Sequence, residues 1–302
     1  MGLKIRIGNI TLKNPVMAAS GTFGMGEEYS GLMDINKLGA IVTKTITLLP
    51  RAGNPAPRLV ETPSGLLNSI GLENGGVDDF LKNKMPFIRK LKVPVIVSIG
   101  AEDVDEYAKL AEKLDRQGVA GIEINISCPN VRTGLQFGKT PEGVSAVVSA
   151  VRKATKRTII TKLTPNVSDI TQVAKAAQDA GSDAVSLVNT FLGMAVDIDS
   201  GKPLLGAVTG GLSGPAIKPM ALRMVWEAHK KIKIPIIGIG GIMSYRDAIE
   251  FIICGASAVQ IGTANFVDPR IGPEIIDGIG RYLKKKRIND INKLTGTLKV
   301  KK

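Results

Sequence analysis

The chain has 302 residues, of which 44% are hydrophobic, and it includes 34 glycines and 16 prolines. This length and composition predict one large α/β domain rather than two ordinary ones. No run approaches the ~18 apolar residues of a membrane span, and residues 1–9 lack the pattern of a signal peptide. We therefore expect a cytoplasmic protein that has no membrane partner.

The net charge of +13 would suit a nucleic-acid-binding protein, but the charge is unevenly distributed. Residues 281–302 hold nine Lys and Arg residues against one acid. A basic terminal segment is usually solvated, so we interpret residues 284–302 as a basic tail and expect no nucleic-acid partner.

The contents of cysteine and histidine limit the possible chemistry. Cys128 and Cys254 are the two cysteines, too few for a disulfide framework, a four-thiolate zinc site or an iron–sulfur cluster held by this chain alone. The sole histidine, His229, falls in a predicted helix beside two lysines and is expected at the surface. We therefore predict no metal site and no Ser-His-Asp triad.

The order of hydrophobic runs and turn signals predicts the architecture. Residues 4–7 and 11–13 flank Gly8-Asn9, which predicts an N-terminal β-hairpin within residues 1–13. Apolar runs predict strands at residues 16–19, 40–43, 94–99, 121–125, 158–163, 184–188, 235–238 and 258–261. Helices are predicted at residues 28–37, 77–91, 104–117, 140–154, 170–180, 215–231, 245–253 and 273–283.

Eight strand–helix pairs in about 270 residues are typical of a closed (β/α)8 TIM barrel, here a single domain over residues 1–302. Two connections are unusually long. Residues 46–76 lose periodicity and carry four prolines, and residues 189–214 are rich in glycine. Connections of that length are usually functional, so we expect both to lie over the C-terminal face of the barrel.

Two glycine motifs follow the last two predicted strands. Gly240-Gly241 follows the seventh strand and Gly262-Thr263 follows the eighth, where barrels of this kind often bind phosphate through backbone amides. Lys162 lies within the apolar fifth strand, and Lys44 follows the second. A buried lysine needs an anion or strong hydrogen bonds, so Lys162 could face a ligand, form a Schiff base or make an internal salt bridge.

Amide side chains recur at the same predicted rim. Asn68 lies in the long 46–76 connection, Asn125 ends the fourth strand, and Asn189-Thr190 follows the sixth. Because amides both donate and accept hydrogen bonds, they favour a small planar ligand rich in carbonyl and NH groups. Cys128 follows the fourth strand in Asn-Ile-Ser-Cys-Pro-Asn (residues 125–130), where it could be a proton-transfer group or a small buried hydrophobe.

Together these motifs resemble the class 1 dihydroorotate dehydrogenases over nearly the whole chain. The resemblance rests on residues 20–24, Lys44-Thr45, residues 68–72 (Asn-Ser-Ile-Gly-Leu), residues 125–130, Lys162, Asn189-Thr190 and the two glycine motifs. The loop cysteine is specific, since class 2 enzymes use serine there. Residues 21–29 resemble subclass 1B, the catalytic subunit of an NAD-linked enzyme.

The resemblance implies oxidation of dihydroorotate to orotate in pyrimidine biosynthesis, with Cys128 as the base and hydride transfer to FMN. It implies FMN binding by Ser20, Lys44, Thr45, Asn125, Lys162, Val188, Gly214, Gly240, Gly241, Gly262 and Thr263. It implies substrate binding by Lys44, Asn68, Ser69, Ile70, Gly71, Leu72, Asn125, Asn189 and Thr190. Ser98 stands where relatives often carry an asparagine that reaches the flavin, so that contact is an open question.

Subclass 1B further implies a partner subunit that carries FAD and a [2Fe–2S] cluster, in a heterotetramer of two catalytic and two electron-transfer chains. Three alternatives stay open from the sequence. They are a fumarate-linked class 1A enzyme, a flavin-dependent dihydrouridine synthase acting on tRNA, and a flavin-free lyase or aldolase in which Lys162 forms a Schiff base.

Overall fold

The protein is described here from a computed structural model, which covers residues 2–127 and 137–300. A hairpin opens the chain, with antiparallel strands Ile5–Ile7 and Ile10–Leu12. In each strand the two outer residues are buried and the middle one is exposed. Gly8, at the turn, has a φ of +54°, and a Cβ there would lie 2.7 Å from the Thr158 side chain at the start of a barrel strand. The predicted hairpin is confirmed, and it packs against the N-terminal end of the barrel.

Eight short strands, rich in Val, Ile and Ala, pair in parallel and close into a barrel. They are Val16–Ala18, Ala40–Val42, Val95–Ile99, Gly121–Asn125, Thr158–Lys162, Ala184–Leu187, Ile236–Ile239 and Ala258–Ile261. Each strand pairs with its neighbour in sequence, and Val259 of the last pairs with Val16 of the first. Every residue in these strands is buried, as expected when helices cover the outside and side chains fill the inside. The predicted (β/α)8 barrel is confirmed.

Helices surround the barrel between the strands. They are Gly76–Asp79 and Met85–Ile88, joined by the π-helical turn Phe80–Lys84, then Val104–Asp115, Pro141–Ala154, Ile170–Asp179, Lys218–His229, Tyr245–Ile253, Ala264–Val267 and Ile271–Lys286. Side chains cap several N-termini, because the first backbone amides of a helix lack partners within it. Asp103, Thr140 and Ser244 each accept a hydrogen bond from the amide three residues later. Among the described residues, no helix is long and apolar enough to cross a membrane.

One predicted helix is wrong. Residues 28–37 form two separate 3-10 turns, Glu27–Tyr29 and Ile35–Lys37. Ser30 and Asp34 explain the break, because their side chains compete for local backbone hydrogen bonds. The Ser30 hydroxyl donates to the Glu27 carbonyl, and the Asp34 carboxylate accepts from the amide of Asn36.

The two long connections contain strands that the sequence analysis missed. Leu59–Thr62, Gly65–Asn68, Phe191–Met194 and Thr209–Ser213 form an antiparallel sheet. The first two strands form a hairpin, and Asn68 pairs with Gly211 across the two connections. Prolines at 57 and 63 lie outside the strands, so they disturb the sequence pattern without removing ladder hydrogen bonds. We call this four-stranded unit the roof sheet.

The basic C-terminal segment is more ordered than a solvated tail. The helix Ile271–Lys286 extends into it, and the 3-10 turn Ile291–Leu294 follows. The amide of Gly2 donates to the Asn289 carbonyl, and the amide of Ile291 donates to the Gly2 carbonyl. Ile291 is 1% exposed. The lysines are solvated, but the segment they belong to packs onto the N-terminal residues.

This packing predicts that Ile291→Ala lowers the free energy of unfolding by about 2–4 kcal/mol, because it removes buried methyl groups and leaves a cavity. Val300→Ala, in the same segment but exposed, should leave stability within about 0.5 kcal/mol of wild type. Urea unfolding followed by circular dichroism measures both. Equal midpoints for the two variants would show that the segment contributes nothing to the core.

Candidate active site

A cavity of about 290 Å3 opens at the C-terminal ends of the barrel strands, beneath the roof sheet. This volume lies at the small end of the range for ligand pockets, roughly 300–1,000 Å3. Its walls come from residues that follow barrel strands one, two, four, five, six, seven and eight, and from the roof sheet. The fold thus brings together segments that lie more than 240 residues apart in the chain, from Ala19 to Phe266.

Nearly all the residues predicted for the site line this cavity. All of those predicted to hold FMN do so: Ser20, Lys44, Thr45, Asn125, Lys162, Val188, Gly214, Gly240, Gly241, Gly262 and Thr263. Of those predicted to hold the substrate, Asn68, Ile70, Gly71, Leu72, Asn189 and Thr190 also line it.

Ser69 is the described residue of the predicted set that does not line the cavity. Ser69 is fully buried behind the wall, where its hydroxyl accepts a hydrogen bond from Asn54 at 2.9 Å. Its side chain therefore supports the loop and does not line the cavity. Cys128 lies outside the described residues.

Thr45 is the centre of a hydrogen-bonded cluster on one wall. Its hydroxyl lies 3.2 Å from the Ser20 hydroxyl and 2.9 Å from the Ser98 hydroxyl, and it accepts from the Asn125 side-chain amide at 3.0 Å. Ser98 is fully buried and does not line the cavity. Ser98 thus supports Thr45 from behind, while Ser20, Thr45 and Asn125 line the cavity.

Asn125 connects this cluster to a second one. Its Oδ1 accepts from the Ser127 hydroxyl at 3.1 Å and from Asn189 Nδ2 at 3.4 Å, and Asn189 Nδ2 also donates to the Ser127 hydroxyl at 2.8 Å. Tyr107 fixes the same strand end from outside the barrel, donating its hydroxyl to the Asn125 carbonyl. These bonds define the orientation of both amides, which is what a site for a planar, hydrogen-bonding ligand requires.

The roof sheet supplies the opposite wall. Asn68 donates from Nδ2 to the Gly211 carbonyl at 3.1 Å, so the amide is fixed by the neighbouring strand. Antiparallel pairing places Leu59 opposite Asn68 and on the same face of the sheet. Leu59 and Leu66, both lining the cavity, give this wall an apolar surface that would suit one face of an aromatic ring.

Backbone conformation shapes the far end of the cavity. Gly240 and Gly241 have φ angles of +130° and +68°, which L residues rarely adopt. A Cβ on Gly241 would lie 2.8 Å from both the Gly214 carbonyl oxygen and the Lys218 Cβ. Thr263 donates to the Ser213 hydroxyl at 2.8 Å or accepts from it, which connects the loop after the last strand to the roof sheet. We call Gly214, Gly240, Gly241, Gly262 and Thr263 the glycine cradle.

A partly buried ion cluster supports the glycine cradle from behind. Lys218 Nζ lies 2.5 Å from Asp247 and 3.0 Å from Glu250, and Asp247 also accepts from the amide of Met243 and the Ser244 hydroxyl. Burial alone would lower the pKa of Lys218, but the hydrogen bonds to Asp247 and Glu250 outweigh it and raise that pKa. Burial would raise the pKa of Asp247, but its hydrogen bonds, above all to Lys218, lower it. Both groups thus stay charged at neutral pH and hold two helix N-termini together.

Lys162 lies at the floor of the cavity and is 6% exposed. Its ammonium nitrogen is 3.9 Å from Glu123 Oε1, inside the barrel. Of the alternatives that the sequence left open, the internal ion pair is present, and the same side chain lines the cavity. Among the described residues, no group of three or more His, Cys, Asp or Glu side chains could hold a metal ion.

Several lining residues were not predicted. Among them are Leu59, Leu66 and Ser213 in the roof sheet, and Met243 and Phe266 at the rim. The roof residues were missed because the strands that carry them were missed. Met243 lies two residues after the glycine pair, and Phe266 lies three residues after Thr263. Their proximity to the glycine motifs was the one sequence signal that could have predicted them as site residues.

The fold and the site define an α/β-barrel enzyme that binds a phosphate-bearing cofactor at the ends of its last strands, next to a buried cation and an amide-rich wall. The family model for dihydroorotate dehydrogenase matches residues 2–283, and the chain belongs to that family. The prediction made from the motifs is confirmed.

Curated relatives support the same assignment at the level of the subclass. The chain is 55% identical over 301 residues to the "Dihydroorotate dehydrogenase B (NAD(+)), catalytic subunit" of Thermoanaerobacter sp. (strain X514), covering 99% of this chain and 100% of the relative. It is 54% identical over 300 residues to the protein of that name from Geotalea daltonii, covering 99% and 98%. A crystal structure of the dihydroorotate dehydrogenase of Eimeria tenella, in complex with ferulenol, shares the fold, with a TM-score of 0.82 at 22% identity, covering 98% and 88%.

The residues around the cavity fit FMN, the cofactor of this family. The glycine cradle leaves backbone amides accessible where side chains would fill the space, as a phosphate requires. The amide and hydroxyl clusters offer donors and acceptors for the edge of a flavin ring, and Lys162 offers a positive charge at the floor. The cavity thus offers a glycine-rich region for the phosphate and hydrogen-bonding side chains for the ring of FMN.

Gly241→Ala tests this fit. The added Cβ meets backbone at 2.8 Å, and a positive φ strains any L residue by about 1–3 kcal/mol, so we expect FMN to dissociate at least about tenfold more readily. Gly280→Ala is the matched control, because Gly280 lies in a helix with open space around its Cβ position. Fluorescence titration of the apoprotein with FMN measures both. Wild-type affinity in Gly241→Ala would place the phosphate elsewhere.

Proposed function

We propose that this chain oxidises dihydroorotate to orotate with FMN held in the cavity beneath the roof sheet. The observation that carries the proposal is the arrangement of a glycine cradle, a buried lysine and a fixed amide wall around one cavity. The relatives named dihydroorotate dehydrogenase B, at 54–55% identity over nearly their whole length, support the same reaction. FMN, when bound, supplies the hydride acceptor.

The residues of the chain divide into two groups in this proposal. The glycine cradle binds the phosphate, and Ser20, Thr45 and Lys162 hold the ring. The substrate lies between the ring and the roof sheet, where Lys44 balances the carboxylate of dihydroorotate and amide groups contact its ring. Lys44 suits that role because it lines the cavity and its ammonium group has no ion-pair partner among the residues described.

The amide groups recognise a ring with alternating carbonyl and NH groups. Asn68 is fixed by Gly211, and Asn189 by Ser127, so the orientation of each amide is set before the substrate binds. Asn166 extends the wall from behind by donating to the Thr190 carbonyl at 3.1 Å. An amide that already has a partner loses little conformational entropy on binding, which favours affinity. The backbone of residues 70–72 completes the wall.

Cys128 is the proposed base, which removes a proton from C5 of dihydroorotate while the hydride leaves C6. Its assignment comes from the loop motif. The residue before it, Ser127, is fully buried and is bonded to Asn125 and Asn189 on the cavity wall. Cys128 is next to this anchored residue in the chain, and proton abstraction requires that the base come within hydrogen-bond distance of the substrate.

We expect Cys128→Ala to slow the reduction of bound FMN by dihydroorotate by about 10²–10⁴-fold, the usual contribution of a positioned base. Orotate and FMN should bind as in wild type. Cys254→Ala is the control, because Cys254 is a half-buried residue at the C-terminus of an outer helix. Anaerobic stopped-flow absorbance at the flavin band gives the rates. Reduction of Cys128→Ala at the wild-type rate would contradict the assignment of the base.

A second subunit is the remaining part of the proposal. The relatives' names say "catalytic subunit" and "NAD(+)", which favours an NAD-linked enzyme over a fumarate-linked one. We propose a partner that carries FAD and a [2Fe–2S] cluster, in a complex of two copies of each chain, located in the cytoplasm. Phe266 lines the cavity and is 52% exposed, and Val267 next to it is exposed as well. A partner covering these two side chains would lie close to the bound FMN.

The isolated chain should therefore reduce an artificial dye with dihydroorotate but reduce NAD+ at a negligible rate, because the NAD+-reactive cofactor lies on the partner. Steady-state assays with dye, NAD+ and fumarate compare the acceptors. Adding the partner chain should restore NAD+ reduction, and Val267→Glu, at an exposed residue that does not line the cavity, should weaken that recovery without changing the dye rate. Fast NAD+ or fumarate reduction by the isolated chain would contradict the two-subunit proposal.

A further inference from the structure

The barrel interior contains a carboxylate that the proposed reaction does not use. Glu123 lies in the fourth barrel strand and is 0% exposed. Its Oε2 accepts hydrogen bonds from the Ser186 hydroxyl at 3.1 Å and from the Gln260 side-chain amide at 2.8 Å. These donors come from the sixth and eighth strands, so three strands fix one carboxylate on the barrel axis. A charge in such a position is costly unless another charge or hydrogen bonds compensate for it.

The compensating charge is Lys162, but the two groups are not in close contact. The distance of 3.9 Å between Lys162 Nζ and Glu123 Oε1 is within ion-pair range and too long for a hydrogen bond. Oε1 has no hydrogen-bond partner among the described residues, although it is buried. The Lys162 ammonium group likewise donates no hydrogen bond within the described part of the chain, and it lines the cavity. Its charge is therefore shared between the carboxylate below and the ligand space above.

Such a carboxylate reduces the field that Lys162 applies to a bound group. A lone lysine at the cavity floor would attract negative charge strongly, because little water screens it there. A fixed anion on the opposite side of the ammonium group offsets part of that attraction. Since reduced flavin carries more negative charge than oxidised flavin, the offset acts on the equilibrium between the two forms.

We propose that Glu123 is a positioning residue that holds Lys162 at the cavity floor and limits how strongly Lys162 favours the reduced form of FMN. The inference rests on the proposed function, since it requires FMN in the cavity. Ser186 and Gln260 take part by fixing the carboxylate, so that it stays below Lys162 and does not move up into the cavity. Glu123 touches neither cofactor nor substrate in this arrangement and acts through Lys162.

The test is Glu123→Gln, which keeps the shape of the side chain and removes its charge. The positive charge of Lys162 is then no longer compensated by an anion. We therefore expect the reduction equilibrium of bound FMN to shift toward the reduced form by about tenfold or more. For a two-electron couple this shift corresponds to a rise in midpoint potential of about 30 mV. Glu112→Gln is the matched control, because it removes the same charge from the exposed side of an outer helix. Spectroelectrochemical titration of the holoprotein gives the midpoint potential of each.

Glu123→Asp is the second variant, in case the amide at position 123 prevents folding. It keeps the charge but withdraws the carboxylate by one methylene from an ammonium group already 3.9 Å away, so the potential should rise, by less than in Glu123→Gln. A rise in whichever variant folds supports the proposal, and a potential equal to that of wild type overturns it. Failure of the proposed function is distinguishable, because the wild-type chain itself would then hold no FMN or would not be reduced by dihydroorotate.

Discussion

The pairing of the last barrel strand with the first is the constraint on which the rest of the structure depends. Val259 to Ile261 align with Val16 to Ala18, and this closes eight parallel strands into a ring with no free edge. Because all strands run in one direction, closure places their carboxyl ends on one rim. The grouping of Gly240-Gly241, Gly262-Thr263, Asn125, Asn189 and Lys162 around one cavity is a consequence of that geometry, since these residues end or follow five different strands.

The interior of the barrel contains polar and charged side chains that are buried but hydrogen-bonded. Most inward-facing residues are aliphatic, but a polar layer containing Ser98, Glu123, Ser186 and Gln260 lies just below the cavity. Every one of these side chains hydrogen-bonds to another buried side chain, as the low dielectric of the interior demands. In each strand, only one or two residues of this layer separate the apolar core from the polar site. The layer also fixes Thr45 and Lys162 from below.

Sequence patterns predicted the barrel well, because strand burial on both faces leaves a strong signal in short runs of Val, Ile and Ala. They also identified the glycine pair Gly240-Gly241, since glycine is required where φ is positive. The roof sheet was not predicted, because its strands are half-exposed and its central pairing, between Gly65–Asn68 and Thr209–Ser213, joins segments far apart in sequence. Ser69 shows a further limit of prediction from motifs. The motif correctly places Ser69 near the cavity, but the backbone conformation determines whether its side chain faces the cavity or points away from it.

The roof sheet also has a consequence for the order in which the chain folds. Asn68 bonds to the carbonyl of Gly211, a residue 143 positions further along. Closing a loop of that length costs conformational entropy that local contacts must first offset, and contacts between distant residues slow folding. The substrate wall therefore cannot form on a nascent chain until the segment after the sixth barrel strand has been synthesised, whereas the first strands and the opening hairpin can pair earlier. A half-length fragment of this protein would carry Lys44 and Asn68 and still lack the surface against which Asn68 is held.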